Sequence, residues 1–303
     1  MLTLSLDRIA FTLGPLTIHW YGVFVALGFF AGMVILKVQA RKIGVSAVEV
    51  SDLAVACVVG GIVGARILYV LLNSGYYLKN PFEIIRIDQG GLVFYGGFFG
   101  ALIVVSWLVR RKKLPFWASA DIFAFALPAG QAIGRIGCLL NGCCFGRPTD
   151  NAPSILYTID ATALNAGVAW DHSAAKLITE VQHLRHELPP FEPHCLPVLP
   201  AQISQSLINV GIFLALVIAA RKIRRPGRIA ALFVILYSLG RFTNECFRGD
   251  YLALHWGGHL TIAQVICIFL LPAGIALFWW LGKNQEAPPE IHDDTDGYEG
   301  TGK

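Results

Sequence analysis

Charge is scarce in this chain. Asp, Glu, Lys and Arg supply 15% of its 303 residues and hydrophobic residues 55%, whereas an average soluble domain is roughly a quarter charged. Such a balance excludes an ordinary soluble globule and points to a polytopic membrane protein. The net charge of +4, with His neutral, is modest, so no nucleic-acid partner is expected and the positions of the basic residues matter more than their sum. Seven cysteines in a chain of this length do not make a small secreted disulfide scaffold. Features of a cleavable leader are missing as well. The first apolar stretch starts late, has no basic segment before it and no small-residue cleavage site after it, and is expected to stay in the mature protein.

Apolar length is what the sequence has instead. Seven stretches approach the ~20 residues that a hydrocarbon core ~30 Å thick demands: residues 18–36, 49–72, 92–109, 117–140, 201–220, 229–247 and 260–281. The expected fold is an all-α integral membrane protein, with seven transmembrane helices in the lipid bilayer and a periplasmic or extracellular loop, 141–200, between spans four and five. Residues 1–282 then form one domain. The tail 283–303 is polar, acidic and proline-containing, and is expected to be a disordered cytoplasmic extension.

Lys and Arg in short loops are retained on the cytoplasmic side, which orients the spans. With the amino terminus outside, one side holds Lys37, Arg41, Lys42, Arg110, Arg111, Lys112, Lys113, Arg221, Lys222, Arg224, Arg225, Arg228, Lys283 and Lys303. The opposite side holds half as many: Arg8, Lys79, Arg86, Arg147, Lys176, Arg185 and Arg248. The expected topology therefore has the amino terminus outside and the carboxyl terminus cytoplasmic. Arg66, Arg135 and Arg241 fall inside spans.

Direction gives each internal polar residue a depth. Spans two, four and six run outward, so those three arginines lie toward outer ends; spans one, three and five run inward, so His19, Tyr21, Tyr95, Gln202 and Gln205 lie near outer starts. All converge on the outer headgroup level, where a half-buried cationic cavity meets lipid phosphate and water. One arginine near a helix end is ordinarily a snorkelling side chain. Three on separate helices, each costing on the order of 3 kcal/mol at the bilayer centre and less near the interface, are better explained by a shared anionic partner. A guanidinium is a planar fork suited to phosphate oxygens, and it stays protonated. Arg241, Glu245 and Arg248 recur at spacings of four and three on one helical face. There Glu245 either keeps both arginines in register for catalysis or closes a self-satisfied ion network.

Glycines cluster beside two of these positions. Gly60, Gly61 and Gly64 precede Arg66, and Gly90, Gly91, Gly96, Gly97 and Gly100 surround Tyr95. Small residues let helices approach closely in lipid; the other reading is free backbone amides at the start of span three facing an anion.

The segment GRIGCLLNGCCFG, residues 134–146, resembles the signature of the prolipoprotein diacylglyceryl transferase family, G-R-x-G-N-F-x-N-x-E-x-x-G. Gly134, Arg135, Gly137, Asn141 and Gly146 match it. HWYG at 19–22, GARILYV at 64–70, GGLVFYGG at 90–97, PAQ at 200–202 and YSLGRFTNECFRGD at 237–250 resemble the family in the same order. Four departures stand out. Cys138 takes the place of a usual Asn, Cys143 that of an acidic residue and Tyr95 that of a histidine some members carry, and QISQ replaces a usual QLYE.

The resemblance implies an enzyme of the bacterial cytoplasmic (inner) membrane. Such enzymes move the diacylglyceryl group of phosphatidylglycerol to the lipobox cysteine thiol of a prolipoprotein signal peptide, forming a thioether and releasing glycerol phosphate. No cofactor or metal is expected. Arg135 and Arg241 match arginines on which the family relies, Arg135 for the lipid headgroup. Cleaving carbon–oxygen at a phosphate ester loads charge on the leaving group, which fixed guanidinium donors stabilise. Tyr95 and Glu245 join them as catalytic candidates. Tyr21, Arg66, Asn141, Gly146, Gln202 and Arg248 are the further substrate-binding candidates. The thiol must lose its proton, and no histidine is placed to accept it; the cationic site lowering the thiol's own pKa, with Tyr95 assisting, is the expected route.

Two other readings compete. His172, His183, His186, His194 and Cys195 in the loop, with Cys138, Cys143 and Cys144 just before it, offer ligands for a metal or a thiol-redox centre. Their histidine spacing follows no recognised metal pattern, and a cover over the active site is the favoured reading of the loop. Intramembrane charge also marks transporters. Only Asp52 and Asp121 lie toward the cytoplasmic side, though, where helix capping or contact with the basic loops accounts for them, and there is no evident inverted repeat.

Overall fold

The computed structural model describes residues 1–14, 16–86, 90–151, 153–158, 173–184, 187–188, 195–250, 255–256 and 260–284. Among them, seven helices of 18 residues or more cover the seven apolar stretches: α1 (Trp20–Arg41), α2 (Ala47–Leu72), α4 (Phe94–Arg111), α5 (Phe116–Asn141), α7 (Ala201–Ala219), α8 (Arg228–Glu245) and α9 (Ile262–Asn284). Two short helices, α3 (Ser74–Tyr77) and α6 (Ala174–Leu184), lie between them. Five of the long helices, α1, α2, α5, α7 and α9, are long and apolar enough to cross a membrane. Their outward faces suit hydrocarbon: Phe30, Leu71, Leu207 and Phe269 are each about two-thirds exposed, an arrangement that water would penalise.

Most helix ends overrun the apolar stretches on the basic side, as in α1, which reaches Arg41, and α4, which reaches Arg111. Long basic side chains stay helical there while their charged heads reach away from the apolar zone. Local chemistry sets other boundaries. Ser46 and Glu49 form a reciprocal capping box at the start of α2, satisfying two otherwise orphan amides. The Asp121 carboxylate in α5 accepts from the Gly227 and Ala230 amides, each at 2.7 Å, and so caps α8 from a neighbouring helix. Asp52 bonds Lys112 in the basic turn after α4. Both acidic residues thus have structural partners, which removes the main intramembrane feature a transport pathway would have used.

Helix α1 packs along α5, α2 along α4, α5 along α7, and α8 along α9. The α2–α4 seam explains the glycines. A Cβ on Gly64 would lie 2.3 Å from the Gly96 carbonyl oxygen, and one on Gly100 2.3 Å from that of Gly60; only hydrogen fits where two backbones touch.

The all-α expectation needs amendment. Three two-stranded pairs occur among the described residues: β1 (Leu2–Ser5) runs parallel to β4 (Ile155–Thr158), β2 (Ile9–Leu13) antiparallel to β3 (Leu16–His19), and β5 (His255–Trp256) antiparallel to β6 (Leu260–Thr261). The β1–β4 register pairs Leu2 with Ile155 and Ser5 with Thr158. Segment 141–200 is likewise more than a covering loop. Phe145, Ile155, Tyr157, Ala174, Ile178, Cys195 and Val198 form a buried core there, with Leu4 and Leu6 packed against it. Hydrophobic periodicity in so short a segment is too weak to announce such a cap. Of the expected tail, Lys283 and Asn284 are the last residues of α9, and 285–303 lie outside the described residues.

Candidate functional site

Polar side chains from α4, α5, α7 and α8 and from the start of α9 gather at one end of the helix bundle. The chain ends that carry them are tied by backbone pairing. The Gly146 amide donates to the Leu199 carbonyl at 2.9 Å, Arg147 to Phe247 at 2.9 Å and Gly249 to Phe145 at 3.0 Å. Gly146 is therefore wedged between two strands of backbone: a Cβ there would meet the Leu199 carbonyl oxygen at 2.5 Å.

Arg135 stands in the penultimate turn of α5, half-buried. Burial is the largest influence on its guanidinium, and Cys144, Cys138, Arg248 and Tyr237 are its titratable neighbours. Its fork makes no hydrogen bond or ion pair with a protein group among the described residues. Tyr21, exposed at the start of α1, is subject to the charge of Arg135.

Around Glu245 the charges are paired. Its carboxylate is buried, with Oε2 2.7 Å from Arg241 Nη2 and 3.8 Å from Arg248 Nη1, while Oε1 accepts from the Thr261 hydroxyl at 2.9 Å. Thr261 and Gln264 in turn bond each other's backbone amides at 3.2 and 3.0 Å, a capping box that starts α9. Arg248 is held on its other side by Asp250, through Nε at 2.9 Å and Nη2 at 2.7 Å. A bidentate grip of this kind fixes direction as well as charge. Tyr95 on α4 completes the group: Arg241, Glu245, Cys267 and Tyr237 all act on its phenol.

Gln202 is fully buried and donates to the Cys143 carbonyl at 2.8 Å. Asn141 ends α5. Arg66 has a different employment from the expected headgroup contact. Its guanidinium is buried and bonds four backbone carbonyls: Ile84 at 2.8 Å, Glu83 at 2.6 Å, Gly90 at 3.0 Å and Gly91 at 3.1 Å. Tyr69 and Tyr77 flank it, 5.6 and 5.3 Å from ring centre to Cζ. Arg66 therefore anchors the connection into α4 and positions Tyr95 indirectly.

Sequence reasoning passed over Asp250, Thr261, Gln264 and Tyr237. Local signals existed for Asp250, two residues from Arg248, and for Thr261 and Gln264, whose T-x-x-Q spacing before an apolar run is a capping-box signature. Also unforeseen is a polar contact between α7 and α8, where Ser204 Oγ bonds Asn244 at 2.9 Å; within α7, Gln205 Nε2 bonds Asn209 one turn on at 3.3 Å.

The thiol expectations divide. All seven cysteines are free. Cys195 sits in the core of the cap and donates to the Tyr157 carbonyl at 3.1 Å; burial pushes both the Cys195 thiol and the Tyr157 phenol above their ordinary values, so neither is a ready nucleophile. His172, His186 and His194 lie outside the described residues. Cys138, Cys143 and Cys144, by contrast, bring their sulfurs within 4.8 Å of one another.

The family model described as prolipoprotein diacylglyceryl transferase matches residues 8–280. The chain is similar to the phosphatidylglycerol–prolipoprotein diacylglyceryl transferase of Burkholderia multivorans, 33% identical over 287 residues that cover 91% of this chain and 94% of the relative. A Burkholderia lata enzyme of that name is 32% identical, with 93% and 97% covered. One from Thermosynechococcus vestitus is 33% identical, with 86% and 88% covered.

Proposed function

The chain belongs to the prolipoprotein diacylglyceryl transferase family, and from that premise we propose that it transfers the diacylglyceryl group of phosphatidylglycerol to a prolipoprotein thiol, the first step of lipoprotein maturation. The lipobox cysteine sulfur, as thiolate, attacks the glyceryl carbon that carries the phosphate ester. The carbon–sulfur bond forms as the carbon–oxygen bond breaks, and glycerol phosphate leaves with the electron pair.

The observation that carries the assignment of roles is Arg135, a guanidinium at the polar end of the bundle with no protein hydrogen bond or ion pair among the described residues. It binds the headgroup phosphate. Arg241, aimed by Glu245, faces the charge that develops on the leaving oxygen, where a preorganised donor is worth most. Tyr95 assists removal of the thiol proton within the field of Arg241. Tyr21 donates to the headgroup, Gln202 and Arg248 shape the pocket with Asn141 and Gly146, and Arg66 holds the wall.

The same reading makes residues 1–282 one domain with seven spans and 283–303 a cytoplasmic tail. The amino terminus and the 141–200 cap face outward from the bacterial inner membrane, where phosphatidylglycerol and emerging signal peptides meet. Purified protein with phosphatidylglycerol and a lipobox peptide tests it: mass spectrometry is expected to show one diacylglyceryl addition, absent with Arg135→Ala. A peptide left unmodified by the folded wild-type protein overturns the reading.

A further inference from the structure

The three-thiol cluster is not used by the reaction above. It is built by a helix ending. Gly142, at φ 69°, reverses the chain after α5, with the Gly142 amide bonding the Leu139 carbonyl at 3.3 Å and the Cys143 amide that of Cys138 at 3.1 Å. This paired 5→2 and 6→1 closure folds the following residues back over the last turn, which brings Cys143 and Cys144 onto Cys138. Cys144 itself holds φ 60°, a left-handed conformation that a residue with a Cβ adopts at a cost, and that conformation keeps its thiol in the cluster.

We propose that Cys138, Cys143 and Cys144 form a three-thiolate site for a single thiophilic divalent cation of the zinc class. Zinc–sulfur bonds of ~2.3 Å put three thiolates about 3.8–4.0 Å apart, so sulfurs already within 4.8 Å need close by less than about 1 Å. Binding breaks three S–H bonds, forms three metal–sulfur bonds and releases the protons to water. The resulting site carries one net negative charge, and Arg248, whose charge already acts on Cys144, supplies the counter-charge. A disulfide between any two of the sulfurs would strand the third. A metal uses all three and leaves a fourth position open.

The test uses full-length protein, reduced and metal-free in detergent, titrated with Cd(II) as a spectroscopic substitute and with Zn(II) in competition. Expected are saturation at one metal per chain, a thiolate-to-metal ultraviolet band, and displacement by Zn(II). Cys138→Ser, Cys143→Ser and Cys144→Ser are each expected to weaken binding by about tenfold or more, with helical circular dichroism unchanged. The triple variant, which keeps Cys57, Cys195, Cys246 and Cys267, is expected to lose the band. Persistence of the band in the folded triple variant, or no uptake by the reduced wild type, overturns the proposal. Neither result depends on transferase activity, so failure here leaves the proposed reaction standing.

Discussion

Replacing Glu245 by Gln separates a catalytic ion network from a merely structural one. The amide oxygen still accepts the Thr261 hydroxyl, so the α8–α9 link survives while the charge is lost. At an effective dielectric of ~20, a full charge pair attracts by about 6 kcal/mol at the 2.7 Å Arg241 contact and about 4 kcal/mol at the 3.8 Å Arg248 contact. Desolvation offsets much of this, and breaking a buried pair typically costs about 3–5 kcal/mol. Arg248 keeps its bidentate Asp250, so the loss falls on Arg241. Glu245→Gln is expected to lower unfolding stability in detergent by about that amount and to reduce lipid transfer about 10²–10³-fold, the scale for a misdirected transition-state donor. Pairing it with Arg241→Gln removes the orphaned charge, and is expected to restore stability without restoring transfer. A folded Glu245→Gln enzyme that transfers at the wild-type rate refutes the reasoning and leaves Glu245 as a strut.

The other predictions concern how the site is held. Gly96→Ala puts a Cβ 2.4 Å from the Gly64 carbonyl oxygen and 2.5 Å from Leu68 Cβ; it is expected to cost about 1–3 kcal/mol of thermal stability through overpacking. Gly211→Ala, with nothing within 4 Å, serves as the neutral control. Arg66→Lys retains the charge but cannot span four carbonyls in a planar fork, so limited proteolysis is expected to cut the 80–91 connection faster than in wild type. Tyr95→Phe is expected to lower kcat on the order of 10²-fold with KM little changed; an enzyme at full rate would remove Tyr95 from proton transfer.

Helix existence was legible because an apolar run of about 20 residues suits a bilayer-spanning helix and little else. The folded cap was not. Its core is assembled from β1, near the amino terminus, and from β4 and α6, more than 150 residues later, and each piece alone is too short to show a period. The glycines were readable as packing residues, but which pairs meet required the structure. Gly64 faces Gly96 because α2 and α4 are neighbours, which spacing within either helix does not reveal.

At the site the limit was of a different kind. A sequence shows that an arginine lies within an apolar run, not what its fork already bonds. Arg66, Arg135 and Arg241 were indistinguishable by residue type and depth, yet their partners separate them. Arg66 is saturated by carbonyls from the connection that follows its own helix. Arg241 is committed to a carboxylate one turn ahead, the only one of the three partners with a fixed helical spacing and hence the only one foreseen. No protein acceptor claims Arg135 among the described residues. On the proposed reading, the partner for that fork is an anion that arrives with the substrate. A phospholipid headgroup supplies one wherever the bundle's polar end reaches the interface, so the residue with the least structural work carries the strongest functional implication.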